Sequence, residues 1–531
     1  MIISLRCKQL CGSAGGAEAA WRRLDELAPL GGAADAVLRA WRLPLHKQLP
    51  LAPAAWHPAL LRSHVTAGSL ELNYAAAVLS SDAMHAVRDV HTLSLDLFPT
   101  TVDGCNDRQV EERVRAAFAS LHALRTLKVA WGRSSDTMEL FASALSCLVS
   151  LTCLDLHNTF LTGTVALALA PPLARLSQLA HLDLRMRWSG IDDGAAAALA
   201  PALGCLTTLT FLDLSENGLG VASAAALAPA LRRLSQLQHL NLREAFGGDD
   251  AAAALAPALS SLTALTFLDL SNNDLEPAGM RAVVPALGRL SQLARLNLEG
   301  SCLWDGSAPA ALAARLRHLT ALTEIHLGVT ALGSDDGGVA ALAAALARLP
   351  LLARLHFAFD EISGRGAAAL APALARLPLL AHLDLAHNEI GGGGAAALAP
   401  ALARLPLLAH LNLGSNKIGD GGAAALAPAL ARLSLLAHLN LSENEFGDCS
   451  VPAALAPALA RLPVLTHLDL SENKFGDGSV PHFAAALAGL SALTFVHFYL
   501  NDFSVAGKAQ FRAVVPSVSF HLSRQNRRFR T

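Results

Sequence analysis

Histidine is the residue type whose spacing in this sequence could most readily do chemistry. His382, His410, His438 and His467 return every 28 or 29 residues, each opening a His-Leu-Asp/Asn-Leu phrase, and His181 and His239 open the same phrase earlier. Two positions further along such phrases runs a second row, Asp213, Asp269, Asp384, Asn412, Asn440 and Asp469. On adjacent strands, ~4.8 Å apart, these imidazoles would form a ladder. Imidazoles beside carboxylates are metal-ligand material. A straight ladder, however, sets its donors in a line and does not converge them tetrahedrally, so no metal site is expected. Stacked imidazoles disfavour shared protonation, which makes His382, His410, His438 and His467 a candidate pH-sensitive contact surface. The plainer alternative is that duplication copied one solvent-facing histidine.

Other reactive signatures are missing. No phosphate-binding loop G-x-x-x-x-G-K-[ST] and no nucleophile-elbow phrase G-x-S-x-G occurs. The glycine runs at 391–394 and 421–422 read as turns between strand and helix. Cys7 and Cys11 lack a second pair and read as free thiols. A regular strand surface offers no deep pocket. No catalytic residue and no cofactor is therefore expected.

The elements that would carry the histidines follow from a repeat. The phrase L-x-x-L-x-L-x-x-N-x-L is clearest at Leu380, Leu383, Leu385, Asn388, Ile390 and again at Leu408, Leu411, Leu413, Asn416, Ile418. Its first leucine stands at 151, 179, 209, 237, 265, 293, 322, 352, 380, 408, 436, 465 and 493, with fainter units near Leu124 and Val90. The period-two alternation predicts a short strand with Leu411 and Leu413 inward and Asn412 and Gly414 outward. From Gly394 to Leu405, leucines at 398, 402 and 405 share one helical face. Stacking strand, loop, helix and loop buries what one unit cannot, and predicts an α/β solenoid, a right-handed horseshoe with parallel strands concave and helices convex.

Asparagines at 217, 273, 388, 416, 444, 473 and 501 sit where the chain leaves the strand and can satisfy backbone groups there. Irregular loops are expected where Thr159, Arg187, Ala245, Ser301, Thr330 or Asp360 replaces them. Prolines at 229, 257, 372, 400, 428 and 457 fall inside the helical phrase, so those helices should kink or start late.

Domain organisation follows. Residues 1–85, with Trp21, Trp41 and Trp56, suit a helical cap or a degenerate region; 86–503 is the array; 504–531 is a closing helix and a tail bearing Arg524, Arg527, Arg528 and Arg530. Across 531 residues the net charge is −2, too little to draw in nucleic acid or an anionic membrane. The charge-free stretches 194–212 and 251–268 coincide with the repeat and are not read as membrane spans. Eight cysteines without repeated spacing and no secretory signal suit a cytoplasmic protein.

With this period, this motif and a full helix per unit, the chain resembles the ribonuclease-inhibitor-like subfamily of leucine-rich-repeat proteins over roughly Leu121 to Phe503. That resemblance implies a protein-binding scaffold, in a family that includes cytoskeletal and ciliary examples, but leaves the activity open. A small-GTPase regulator is one alternative, although the arginine-bearing end departs from the acidic tail of the GTPase activator in that family. A substrate receptor for ubiquitin ligation is another, although the proline-rich stretch 43–61 fits its helical module poorly.

Partner-specific residues should stand where the repeats stop copying one another. Between Leu151 and Asp360 the outward positions include Glu324 and His326, and among them Arg185, Trp188, Phe211, Arg243, Phe267, Arg295, Trp304, Arg354, His356 and Phe359 are the candidate partner-binding residues, an Arg and aromatic mixture suited to anchoring an interface. The alternative is drift in older repeats.

Overall fold

A computed structural model describes residues 69–72, 89–97, 112, 115–116, 118–131, 141–142, 144–159, 161–186, 190–303, 305–334, 336–447, 450–514 and 519–521. The expectations for residues 1–68, for Arg187, Trp188 and Trp304, and for the arginine tail lie outside these residues. The chain divides into two compact units, Met1–Asn241 and Leu242–Thr531.

In the first unit, strands β1 (Ser69–Leu72), β2 (Thr92–Leu97), β3 (Thr126–Trp131), β4 (Cys153–Asp155), β5 (His181–Asp183), β6 (Phe211–Asp213) and β7 (His239–Asn241) pair in parallel, each with the next. Strand β1 lies within the span assigned from sequence to a cap. Helices α1 (Gly163–Leu173), α2 (Asp193–Leu203) and α3 (Val221–Leu231) alternate with the later strands.

The second unit repeats the plan. Its parallel strands are β8 (Phe267–Asp269), β9 (Arg295–Asn297), β10 (Glu324–His326), β11 (Arg354–His356), β12 (His382–Asp384), β13 (His410–Asn412), β14 (His438–Asn440), β15 (His467–Asp469), β16 (Phe495–His497) and β17 (Ser519–His521). Its helices are α4 (Asp249–Leu259), α5 (Pro277–Leu287), α6 (Ser307–Leu316), α7 (Asp336–Leu346), α8 (Gly364–Leu374), α9 (Gly391–Leu402), α10 (Gly419–Leu430), α11 (Val451–Leu459), α12 (Val480–Leu487) and α13 (Val505–Val514). A parallel neighbour requires a crossover, and the helix supplies it.

One repeat shows why the pattern folds this way. Leu408, Leu411, Leu413 and Ile418 from the strand and its exit, and Leu426 and Leu430 from α10, are all buried, with alanines between them that let the helix approach the sheet. Among the described residues no helix is long and apolar enough to cross a membrane.

Three local expectations change. Helix α9 ends at Leu402, so Leu405 lies beyond it, still buried. The repeated prolines neither delay nor end the helices at once: α3, α4, α8, α9, α10 and α11 each end two residues past theirs. In the last turn a proline removes a single hydrogen bond, and the amide of the capping residue, such as Ala403 onto Ala399 O, closes the end.

The five described loops without asparagine keep the same backbone conformation at this position. Left-handed residues precede the asparagine position throughout: Glu216, Asn272, His387, Ser415, Glu443, Glu472 and Leu500 before Asn, but also Asn158, Glu244, Gly300, Val329 and Phe359 before Thr159, Ala245, Ser301, Thr330 and Asp360. Those five substitutes are as buried as the asparagines. The turn is held by backbone bonds to the following repeat, such as Glu244 N to Ser271 O and Phe359 N to Ala386 O, so its path survives loss of the amide.

Gly394 shows what the stacking of helix starts demands. A Cβ there would stand 2.9 Å from Gly364 Cα and 2.8 Å from Ile390 Cγ2. Gly394→Ala should therefore destabilise the second unit by about 1–3 kcal/mol as overpacking. A shift of the urea midpoint checks it; an unchanged midpoint would show that the two helix starts can separate freely.

Candidate functional site on the strand faces

Each three-residue strand buries its middle side chain and turns its first and third to the opposite face, where Asp183, Asp213 and Asp269 are themselves buried, and register aligns these positions into two columns. In the second unit the first column runs Phe267, Arg295, Glu324, Arg354, His382, His410, His438, His467, Phe495. The third-position column runs Asp269, Asn297, His326, His356, Asp384, Asn412, Asn440, Asp469, His497.

The four histidines singled out from the sequence stack face to face, with ring centroids 5.0 Å apart for His382–His410 and 4.2 Å for both His410–His438 and His438–His467. Phe495 extends the stack at 4.7 Å. At the other end it changes column: His382 stacks diagonally on His356 at 4.6 Å, and His356 on His326 at 4.0 Å. Burial, reinforced by neighbouring cations, pushes the imidazoles of His382, His410 and His438 below their usual value and that of His356 to about 3. Between the columns from β12 to β16 lies an open groove of about 300 Å³.

Glu324 gathers the charged residues of this face. Its carboxylate meets His326 Nε2 at 2.8 Å, Arg295 Nε at 3.4 Å and Arg354 Nη1 at 4.0 Å. Burial alone would raise its pKa, but the His326 hydrogen bond and the cations hold it below the usual range. Both arginines stay exposed, at 62% and 61% of their side chains. The structure thus brings Arg295, Arg354 and His356 together around Glu324 and His326. The sequence signal was present, Glu-Ile-His at the two outward positions of one strand, but departure from consensus drew attention to its arginine and aromatic neighbours instead.

Of the other candidates in this unit, Phe267 borders that cluster and Arg243 and Phe359 stand apart from it. Phe267 precedes Arg295 in the first column and is half-buried. Arg243 pairs with Glu244 at 2.9 Å. Phe359 lies beyond its strand, 52% exposed in a left-handed conformation, stacked on His387 at 3.9 Å.

In the first unit Phe211 is sandwiched between His181 and His239 at 3.8 and 4.2 Å. Arg185 Nη2 donates to Asp183 Oδ2 at 2.9 Å, and burial pushes the Asp183 carboxyl up. Asp155 accepts from the His157 amide and contacts its Nδ1 at 2.6 Å, which raises the imidazole.

Among the described residues, three sets of donor atoms lie within 4.8 Å of one another: Glu324, His326 and His356; His356, His382 and Asp384; and Asp155, His157 and Asp183. Among the described residues Cys147, Cys153, Cys205 and Cys302 are free thiols.

A leucine-rich-repeat family model matches residues 205–228, 261–284, 377–399, 405–427 and 461–480, stretches that carry the strand exit and helix start described above. With its sheet topology, the chain is a leucine-rich-repeat protein with the α/β solenoid fold. No curated protein sequence gives a significant match. Solved structures similar to it include a leucine-rich-repeat protein of Leptospira interrogans, 18% identical over 76% of this chain and 92% of that one with a TM-score of 0.49. An internalin of Listeria monocytogenes is 18% identical over 86% and 99% with a TM-score of 0.38.

Proposed function

We propose that this protein is a non-enzymatic scaffold that holds a protein partner on its strand face, with Arg295, Glu324 and Arg354 in the second unit as the anchor. The observation that carries this is the pair of exposed guanidiniums held on one half-buried carboxylate, beside the half-buried rings of Phe267 and His356. Exposed arginines next to aromatic surface supply both charge recognition and desolvated area, the combination found at interface hot spots. The first unit offers Arg185 on Asp183 and the Phe211 stack as a smaller version of the same chemistry.

The test is capture of a protein by the whole chain, followed by affinity measurement with purified partner. Arg295→Ala and Arg354→Ala should each weaken binding by roughly tenfold or more, as loss of a hot-spot residue does. Arg404→Ala, exposed past the end of α9, should leave it unchanged. Equal affinity for all three variants overturns the anchor. Recovery of a nucleotide-bound GTPase alone would move a GTPase-regulating role ahead of the general scaffold.

A further inference from the structure

We propose that the second unit carries a divalent transition-metal site on its strand face, formed by Glu324, His326 and His356, with zinc as the class of ion it fits. The donor atoms of these three residues already lie within 4.8 Å of one another. Two imidazoles and one carboxylate form a donor set that zinc takes with a further position left open, here toward solvent.

The column change makes this possible. In the ladder from β12 to β15 every histidine stands at the first strand position, so its donors run in a line. Between β10 and β12 histidines occupy the third position on two strands and the first on the next, while Glu324 stands at the first position of β10. Donors from both columns are therefore brought within 4.8 Å of one another. Glu324 is held only by side chains, His326 and the two exposed arginines, which can swing aside. Asp384, in the neighbouring donor set that shares His356, instead accepts the Ala386 amide at 2.9 Å and is committed to its turn.

Three features oppose binding. The rings of His326 and His356 are nearly parallel, at 10°, so both must tilt for their lone pairs to converge. Zinc–nitrogen bonds of ~2.1 Å set donor separations of ~3.4 Å, so the Glu324–His326 pair, at 2.8 Å, must open as His356 adjusts. Arg295 and Arg354 add positive charge. The site is therefore one that closes on the ion. The proposal shares Glu324 with the partner-binding reading, but its test uses the chain alone, so failure of one is read separately from failure of the other.

The experiment is titration of the metal-free full chain with Co²⁺, followed by optical absorption and competition with Zn²⁺, with His356→Gln as reference. One Co²⁺ equivalent is expected to give bands of low coordination number that Zn²⁺ displaces. His356→Gln, His326→Gln and the near-isosteric Glu324→Gln should each weaken this equivalent by roughly 100-fold, the upper end of the effect of losing even an outer-shell partner. His438→Gln, in the straight part of the ladder, should leave it intact. The proposal is overturned if no saturable band forms, or if the band persists in His356→Gln. It is also overturned if the band disappears with His382→Gln but survives His326→Gln, which would place the ion on the neighbouring set. An unchanged urea midpoint in Glu324→Gln separates loss of a ligand from loss of the fold.

Discussion

Replacing Asp360 by Asn is expected to stabilise the second unit by about 4 kcal/mol at pH 8 and by almost nothing near pH 4, given a carboxyl held at about 7 in the fold against ~3.9 in the unfolded chain. Asp360 stands where other repeats place asparagine, fully buried. Its Oδ1 accepts from the Thr330 amide at 2.7 Å and from the Thr330 hydroxyl at 2.8 Å, and its Oδ2 has no partner. Burial drives the carboxyl up; the Thr330 bonds oppose it, and Glu299 and Glu361 add to it.

The fold therefore holds the proton more tightly than the unfolded chain does. Stability from this group is fully present below about pH 4, falls as pH rises toward 7, and stays lost above it. A protonated carboxyl can donate to a carbonyl as an asparagine amide does at this position, whereas an ionised one cannot. Urea unfolding of the wild type and Asp360→Asn from pH 4 to 8 should give a difference that grows across this range. A difference independent of pH would mean that the carboxyl is ionised throughout.

Asn388→Ala should cost about 4 kcal/mol at any pH in that range, because it strands several buried backbone groups at once. The Asn388 Nδ2 donates to the carbonyls of Phe357, Leu385 and Ala386 at 2.7, 3.0 and 3.1 Å. Its Oδ1 accepts the amides of Asp360 and Ile362 at 3.1 and 2.9 Å. One side chain thus ties three segments of two repeats together. Asn501→Ala should cost about half as much. It is only part-buried, and its bonds are to Leu470 O, Phe498 O and the Phe475 amide. Urea midpoints of the two variants test the ranking; equal losses would mean that water replaces these bonds as readily in the middle of the array as near its end. Because the Asp360 amide bonds to Asn388, the two Asn388 and Asp360 effects should not add.

Much of this was legible because a repeat's neighbours are copies of itself. The strands, the buried leucines, the parallel pairing and the network around Asn388 each follow from a pattern about 28 residues long. Where copies differ, that logic weakens. Thr330 and Asp360 were expected to disturb their loops, yet the turn is kept by main-chain bonds and by left-handed residues whose side chains need not be special, Val329 and Phe359 among them. Helix ends were misplaced by three residues at α9 because Leu405 is buried without being helical, and periodicity alone cannot separate those two states.

By itself the sequence determined the α/β solenoid fold class, the inward and outward sides of each strand, and the straight column from His382 to His467. Only tertiary structure decided that Glu324 lies between Arg295 and Arg354, that the ring stack crosses columns at His356, and that Phe359 leans on His387. The physical reason is that a repeat period fixes which backbone positions become neighbours, through hydrogen-bond register. Which side chains meet across columns depends on their length, charge and rotamer, and those were set independently in each diverged repeat.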